Sequence, residues 1–165
     1  MASGHYTVIL MSNILYVFFI SMLPILELRA SIPVGYAFGF PIILNIFISV
    51  IGNMLPIPFI LIFINKILHF MSHSKISFFN KTAGFVLKKA DKNKDKITKY
   101  ATWGLFLFVA IPLPGTGAWT GALVASLLDM KRSKALISIF AGVLAAATLV
   151  SLICYGFIDF LRFLI

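Results

Sequence analysis

The sequence is poor in charge, in acidic groups and in cysteine. Of its 165 residues only 12% are charged, where an ordinary soluble domain has about a quarter. Hydrophobic residues make up 61%, and the mean hydropathy is +1.03. A water-soluble single domain is excluded on these figures. A disordered chain is excluded too, because disorder goes with high charge and few aromatics, and Phe alone occurs 17 times. The single cysteine, Cys154, cannot form a disulfide within the chain, so cysteine usage does not report a redox compartment. No Lys or Arg precedes the apolar run in the first ten residues, and no small-residue cleavage site follows. A signal peptide is therefore not expected. Ala2 excludes myristoylation. The apolar N-terminus is expected to be retained.

Catalytic patterns are also lacking. There is no Ser-His-Asp arrangement, no paired carboxylates and no phosphate-binding loop. His69 and His73 stand four apart without a third ligand, and His5 is far from both, so no metal site is expected. Asp129 reads as the membrane-edge end of a hairpin. The expectation is a protein that is not an enzyme and carries no cofactor.

The charge that is present is basic and clustered. The net charge is +9. Residues 66–99 contribute nine Lys and two Asp, and Asp129, Lys131, Arg132 and Lys134 follow. Residues 7–65 contain only Glu27 and Arg29, and residues 100–128 contain no charge. Basic flanks mark the cytoplasmic side of a membrane protein, so the excess is a topology signal. The basic loop lacks aromatic or fold support for nucleic-acid binding, and no nucleic-acid partner is expected. Phe79, Ala83, Val86, Ala90 and Ile97 share one helical stripe within 72–99. That pattern suits either an interfacial helix on anionic lipid or a solvated basic linker.

A spanning helix needs about 20 apolar residues. Segments 42–68 and 134–158 qualify, the first with a kink at Pro56 and Pro58 or a division into two pieces. Segment 100–129 has basic groups at both ends, so a single crossing would put both ends inside. Its centre, Ile111-Pro112-Leu113-Pro114-Gly115-Thr116-Gly117, breaks helices. A re-entrant hairpin satisfies both constraints. Segment 7–40 is broken similarly at Pro24, Pro33 and Gly35. It reads as a second re-entrant hairpin with its tip near Glu27 to Pro33, or as one span followed by a loop. The expected fold is an all-α integral membrane protein of one domain: an inverted repeat of hairpin plus transmembrane helix, the halves offset by 88 residues from Pro24 to Pro112. Broken helices meeting at the midplane are a recurrent transporter plan.

Glu27 and Arg29 are the candidate functional charges, because intramembrane charges usually face a cavity or a partner. Arg29 could neutralise a phosphate or another anion, and Glu27 could exchange a proton. The alternative is a structural ion pair holding the hairpin shut. Thr116 is a candidate N-cap of the second arm, whose first amides would attract an anion. Ser31, Pro33 and Gly35 are the counterpart in the first hairpin, with Pro33 near the first helical position. Pro112, Pro114, Gly115, Gly117 and Thr120 complete the proposed substrate site, with Trp119 as a gate or packing residue. Gly117, Gly121 and Ala125, and likewise Ser138, Gly142 and Ala146, follow the small-residue spacing of close helix packing.

The segments Glu27-Leu-Arg-Ala-Ser-Ile-Pro-Val-Gly35 and Ile111-Pro-Leu-Pro-Gly-Thr-Gly-Ala-Trp-Thr-Gly121 resemble the putative small multidrug export protein family over nearly the whole chain. That family resembles, more distantly, the DedA group of bacterial membrane proteins. The kinship implies two opposed re-entrant hairpins and transport of a lipid phosphate such as undecaprenyl phosphate. The DedA pattern has arginines in the second hairpin, and residues 102–128 have none, so only Glu27, Arg29 and the tips carry over. Three functions compete: a transporter or flippase for an anionic lipid carrier or small anion, with protons or ions as coupling species; efflux of lipophilic cations; and a non-transporting protein for membrane assembly or lipid organisation. Membrane lipids are the expected partners, and a homodimer would thicken the wall around a substrate. The expected location is the bacterial cytoplasmic membrane, with 66–99 and 129–134 cytoplasmic and both termini outside.

Overall fold

The computed structural model describes residues 2–63, 94–113 and 115–156. Among these residues all regular structure is helical. Helix α1 (Ala2–Met22) turns through 23–26 into α2 (Glu27–Ala37). A short linker leads to α3 (Ile42–Met54), and after a turn at Leu55-Pro56 the chain is helical again over 57–63, here α4. The second half holds α5 (Lys94–Ala110), α6 (Ala118–Leu127) and α7 (Arg132–Ser151), the last ending in a π-helical turn, Leu152–Gly156. Two stretches, Ile42–Phe63 and Arg132–Gly156, are long and apolar enough to cross a membrane.

The expected segments shift in places. The first hairpin turns at residues 23–26 rather than between Glu27 and Pro33. The turn closes where the Glu27 amide donates to the Leu23 carbonyl at 3.0 Å, and Glu27 itself adopts a left-handed φ of 48°. Pro33 is consequently inside α2 and exposed, not at a helix start. Its missing N–H forfeits one helical bond, to the Arg29 carbonyl. The arms of this hairpin are unequal, 21 against 11 residues. Residues 42–63 form one apolar stretch with a turn at Leu55-Pro56, where proline is expected to disturb it, and 64–68 lie outside the described residues. The first turns of α5 take in 94–99, so the arm begins six residues ahead of position 100. The basic stretch 72–93, with Phe79, Ala83, Val86 and Ala90, lies outside the described residues, as do His69, His73 and residues 157–158.

Both linkers that follow a hairpin close in the same way. Phe40 N donates to Gly35 O, and Met130 N donates to Ala125 O, each at 3.0 Å. Gly39 and Asp129 supply the left-handed residue, at φ 76° and 51°. Gly is free there and Asp tolerates it. Pro41 and Lys131 are then the extended N-caps of α3 and α7.

The core lies where α2, α3 and α4 meet α5, α6 and α7. Leu28, Ile32, Ile57, Leu105, Val109, Ala122, Ile139 and Val143 are buried in one cluster. The small-residue stripes do the expected packing. Val109 of α5 sits against both Gly121 of α6 and Gly142 of α7, and Ser138, Ala146 and Ala125 are buried. With apolar solvent outside, close packing of small residues rather than a hydrophobic drive holds such helices together. The outward faces are apolar, with Ile43, Phe47 and Ile51 exposed along α3 and Ile137 and Phe140 along α7.

Candidate functional site

The two hairpin tips are stitched together by the two charges of the first. Glu27 is only 4% exposed. Its carboxylate reaches across to the start of α6, where Oε2 accepts from the Ala118 amide at 3.3 Å and Oε1 from the Trp119 amide at 3.1 Å. The first amides of a helix have no partner within it, and a carboxylate there also answers the positive end of the helix dipole. The cap of α6 therefore comes from 91 residues earlier in the chain.

Arg29 serves the opposite kind of helix end. Its guanidinium donates to the Leu113 carbonyl, to Thr116 Oγ1 at 2.8 Å and to the Ile111 carbonyl at 3.5 Å. These carbonyls lie just past the C-terminus of α5, where a cation is favoured. A fork of donors matches several acceptors at once. The Trp119 indole N–H donates to the Met22 carbonyl at 3.1 Å, tying α6 to the end of α1. Each tip thus satisfies the orphan backbone groups of the other.

This arrangement corrects several expectations. Thr116 is not the N-cap of α6. Gly117 holds that position without a side-chain bond, while the Thr116 hydroxyl is used inside the loop, donating toward the Ile111 and Leu113 carbonyls. The α6 amides are not open to an anion, because Glu27 occupies them. Ser31, Pro33 and Gly35 do not form a second helix N-terminus. Ser31 instead pairs with Ser49 Oγ at 2.7 Å, and Gly35 faces the Asn45 side chain. Glu27 and Arg29 each bind the second hairpin rather than closing the first on itself.

Gly117 is required by close approach, since a Cβ there would meet the Glu27 carboxylate. Gly115 takes φ 82° at the exposed corner of the loop. Thr120 Oγ1 turns back to the Gly117 carbonyl at 3.3 Å. Pro112 is half-buried in the loop, and Pro114 lies outside the described residues. Of the twelve candidate residues the structure therefore brings Glu27, Arg29, Thr116, Gly117 and Trp119 into one contact. Among the described residues no group of His, Cys, Asp and Glu could hold a metal ion.

A set of buried polar residues lies outside the expected site, with only Ser138 among them singled out by the sequence, for packing. Ser21, Asn45, Ser49 and Asn53 are fully buried, and Ser138 and Ser151 nearly so. Asn45, Ser49 and Asn53 stand four apart on α3, a spacing visible in the sequence. Asn45 Nδ2 donates to the Ile32 carbonyl at 2.7 Å and contacts the Tyr155 hydroxyl at 2.9 Å, and that hydroxyl donates to the Phe40 carbonyl at 2.8 Å. Tyr155 belongs to the π-helical turn, and no signal in the sequence links it to Asn45.

Two helical hairpins, each followed by a long apolar helix and joined at their tips, define an all-helical membrane protein. The chain belongs to the family described as Putative small multi-drug export protein, whose model matches residues 27–149. The match begins at Glu27, directly after the first turn, and takes in the second tip. No curated protein and no solved structure matches the chain.

Proposed function

We propose that the protein is a transporter in which two re-entrant hairpins, arranged as an inverted repeat, meet at the Glu27–Arg29 contact. The observation that carries this reading is the Glu27 carboxylate on the α6 amides. An internal carboxylate in a helix N-terminal anion site is a removable occupant. Protonation of Glu27 removes its charge and its reason to stay there. The freed amides, with Arg29 beside them, then suit an anionic group. Loss of the proton returns Glu27 to the amides and expels the anion. Such a cycle couples protons to an anion, either a small anion or the headgroup of an undecaprenyl-phosphate-like lipid carrier.

The repeat has structural support. Gly52 of α3 faces Phe18 and Ser21 of α1, and Gly142 of α7 faces Phe106 and Val109 of α5. The first arms are thus offset by 88 residues. Gly35, Gly39 and Phe40 match Ala125, Asp129 and Met130 at an offset of 90, so the second tip has two extra residues. Asn45, near the start of α3, contacts Tyr155 beyond the end of α7. That contact is the one expected of equivalent helices that run antiparallel, as inversion requires. At this offset Glu27 corresponds to Gly117, the residue it packs against.

A second reading, export of lipophilic cations, is favoured by the family description and by apolar tips. Leu23, Ile25, Leu26, Ile111 and Leu113 are exposed around the buried Glu27 carboxylate. Both readings place the chain in the bacterial cytoplasmic membrane as a multi-pass protein, with 66–99 and 129–134 cytoplasmic and the termini outside. A homodimer would cover the exposed tips. The test is translocation of undecaprenyl phosphate by the purified protein in proteoliposomes, with and without a pH gradient. The anion reading expects Arg29→Ala and Glu27→Gln both to abolish it. Undiminished translocation by both variants refutes it, and pH-driven efflux of a lipophilic cation lost only in Glu27→Gln selects the second reading.

A further inference from the structure

The buried polar residues of the first half form a ladder that starts at Glu27. On α2, Glu27, Ser31 and Gly35 stand four apart and are all buried. On α3, Asn45, Ser49 and Asn53 stand four apart and are all 0% exposed. The two stripes face each other in antiparallel order. Gly35 meets the Asn45 side chain, and Ser31 Oγ bonds Ser49 Oγ at 2.7 Å. One further turn of both helices brings Asn53 to the level of Glu27. On α7, Ser151 precedes Tyr155 by about one turn and is 1% exposed.

Several rungs of the ladder lack partners. Asn45 Oδ1, both carboxamide atoms of Asn53 and the Ser151 hydroxyl make no hydrogen bond. Buried polar groups are nearly always satisfied, by protein or by ordered water. A fully buried carboxamide with neither atom bonded, as at Asn53, calls for water at that point. At its far end the ladder reaches Tyr155 Oη and the Phe40 carbonyl, beside the exposed residues Phe38, Gly39 and Pro41.

Among the described residues the opposite half carries no such ladder, although Ser138 on α7 is buried with an unpartnered hydroxyl. At the offset of 90 residues, Ser31, Asn45, Ser49 and Asn53 correspond to Gly121, Ala135, Ile139 and Val143. All four are buried, and none has a polar side chain. The polar stripe is thus not a demand of the packing, since the equivalent interface is built without it.

The geometry points to a file of water between α2, α3 and α7 that carries protons between the Tyr155–Phe40 end and the Glu27 carboxylate. This rests on the reading of Glu27 as a proton-exchanging group and adds its route. The proton ends on a carboxylate oxygen of Glu27, and the charge it cancels is the one that holds the α6 amides. The other titratable groups along the path are Arg29 at the tip, and Tyr155 at the far end, with Tyr36 against its ring at 4.7 Å and Cys154 next in the chain.

The repeat supplies matched controls for a test. In the full chain carrying Cys154→Ser and reconstituted in vesicles, Ser49→Cys, Asn53→Cys, Ile139→Cys and Val143→Cys are compared one at a time. A small water-soluble methanethiosulfonate reports water, because it reacts with the thiolate and a dry apolar site keeps the thiol protonated. Ser49→Cys and Asn53→Cys are expected to react at least about tenfold faster than Ile139→Cys and Val143→Cys. Equal, slow reaction at all four overturns the water file. A second measurement separates this from the fate of the transport reading. Asn53→Leu is expected to lose proton uptake, followed by a dye trapped inside vesicles, as fully as Glu27→Gln does. Loss in Glu27→Gln with full uptake in Asn53→Leu rejects the path and leaves the role of Glu27 intact. Full uptake in both rejects the role of Glu27 itself.

Discussion

The Glu27 carboxylate fills the volume that a side chain at residue 117 would need. Gly117 has an extended backbone there, so the restriction is one of space and not of conformation. Under the repeat proposed above the two positions correspond, so that each half would contribute one of them to a shared contact. Gly117→Ala is expected to push the carboxylate off the α6 amides. The cost should be about 1–3 kcal/mol, in line with overpacking a tight site. Glu27→Gln should cost about 1 kcal/mol by weakening the cap. Because both changes strike one interaction, the double variant should lose less than the sum, and thermal unfolding of all four proteins in detergent checks this. Strict additivity would separate Gly117 from Glu27.

Glu27→Ala should be worse than Glu27→Gln. The alanine leaves the buried Ala118 amide and the half-buried Trp119 amide without their carboxylate partner, at about 1–3 kcal/mol for each group. The alanine also keeps the backbone strain, since φ 48° is costly for any residue with a Cβ. Glu27→Gly removes the strain as well as the cap, and should unfold at a higher temperature than Glu27→Ala. A lower temperature for the glycine variant would show that the turn is not strained.

Arg29→Lys should recover less than half of what Arg29→Ala loses. Arg29 serves the Ile111 and Leu113 carbonyls and Thr116 Oγ1 together. A lysine ammonium is a compact point donor and cannot span that set. Proteolysis within the loop 111–117 should be fastest in Arg29→Ala, intermediate in Arg29→Lys and slowest with Arg29 in place. Equal protection by Lys and Arg would mean that charge alone holds the loop.

Much of this was legible in the residues, and the limits have physical causes. Charge scarcity singled out Glu27 and Arg29, since a charge in an apolar chain must find a partner. Breaker residues located the second tip, because proline and glycine cluster there over seven positions. The first tip was misplaced because Pro33 was taken for a helix start, whereas α2 accommodates it on an exposed face where one lost hydrogen bond suffices. The anion site was expected open because the sequence does not say which side chain will reach a helix end 91 residues away. The ladder of Asn45, Ser49 and Asn53 has a helical spacing that a search for polar stripes would find. Its partner Tyr155 depends on a π-helical turn, which leaves no mark in the residue pattern.

Tyr155→Phe isolates that far end. The hydroxyl donates to the Phe40 carbonyl and contacts Asn45 Nδ2. Its removal should cost about 1–2 kcal/mol, mostly from the buried groups left unpaired. Amide exchange should rise locally at residues 38–40 and 152–156, with α5 and α6 unaffected. A change spread over the whole chain would show that Tyr155 holds the fold and not merely this corner.

The topology can be tested at the second hairpin by length alone. The apolar part of α5, Tyr100–Ala110, has 11 residues, and α6 has 10. At 1.5 Å per residue each rises about 15–17 Å, roughly half of a hydrocarbon core of about 30 Å. Neither helix can cross by itself, and the loop between them is irregular backbone, which the hydrocarbon region tolerates only under cover of protein or beside water. The Glu27 and Arg29 bonds supply that cover. Cysteines placed at Tyr100 and Met130 in a Cys154→Ser chain should therefore both react with an impermeant reagent from the same side of inverted or right-side-out vesicles. Reaction from opposite sides would make 100–129 an ordinary crossing, and the two tips could then not meet within the membrane.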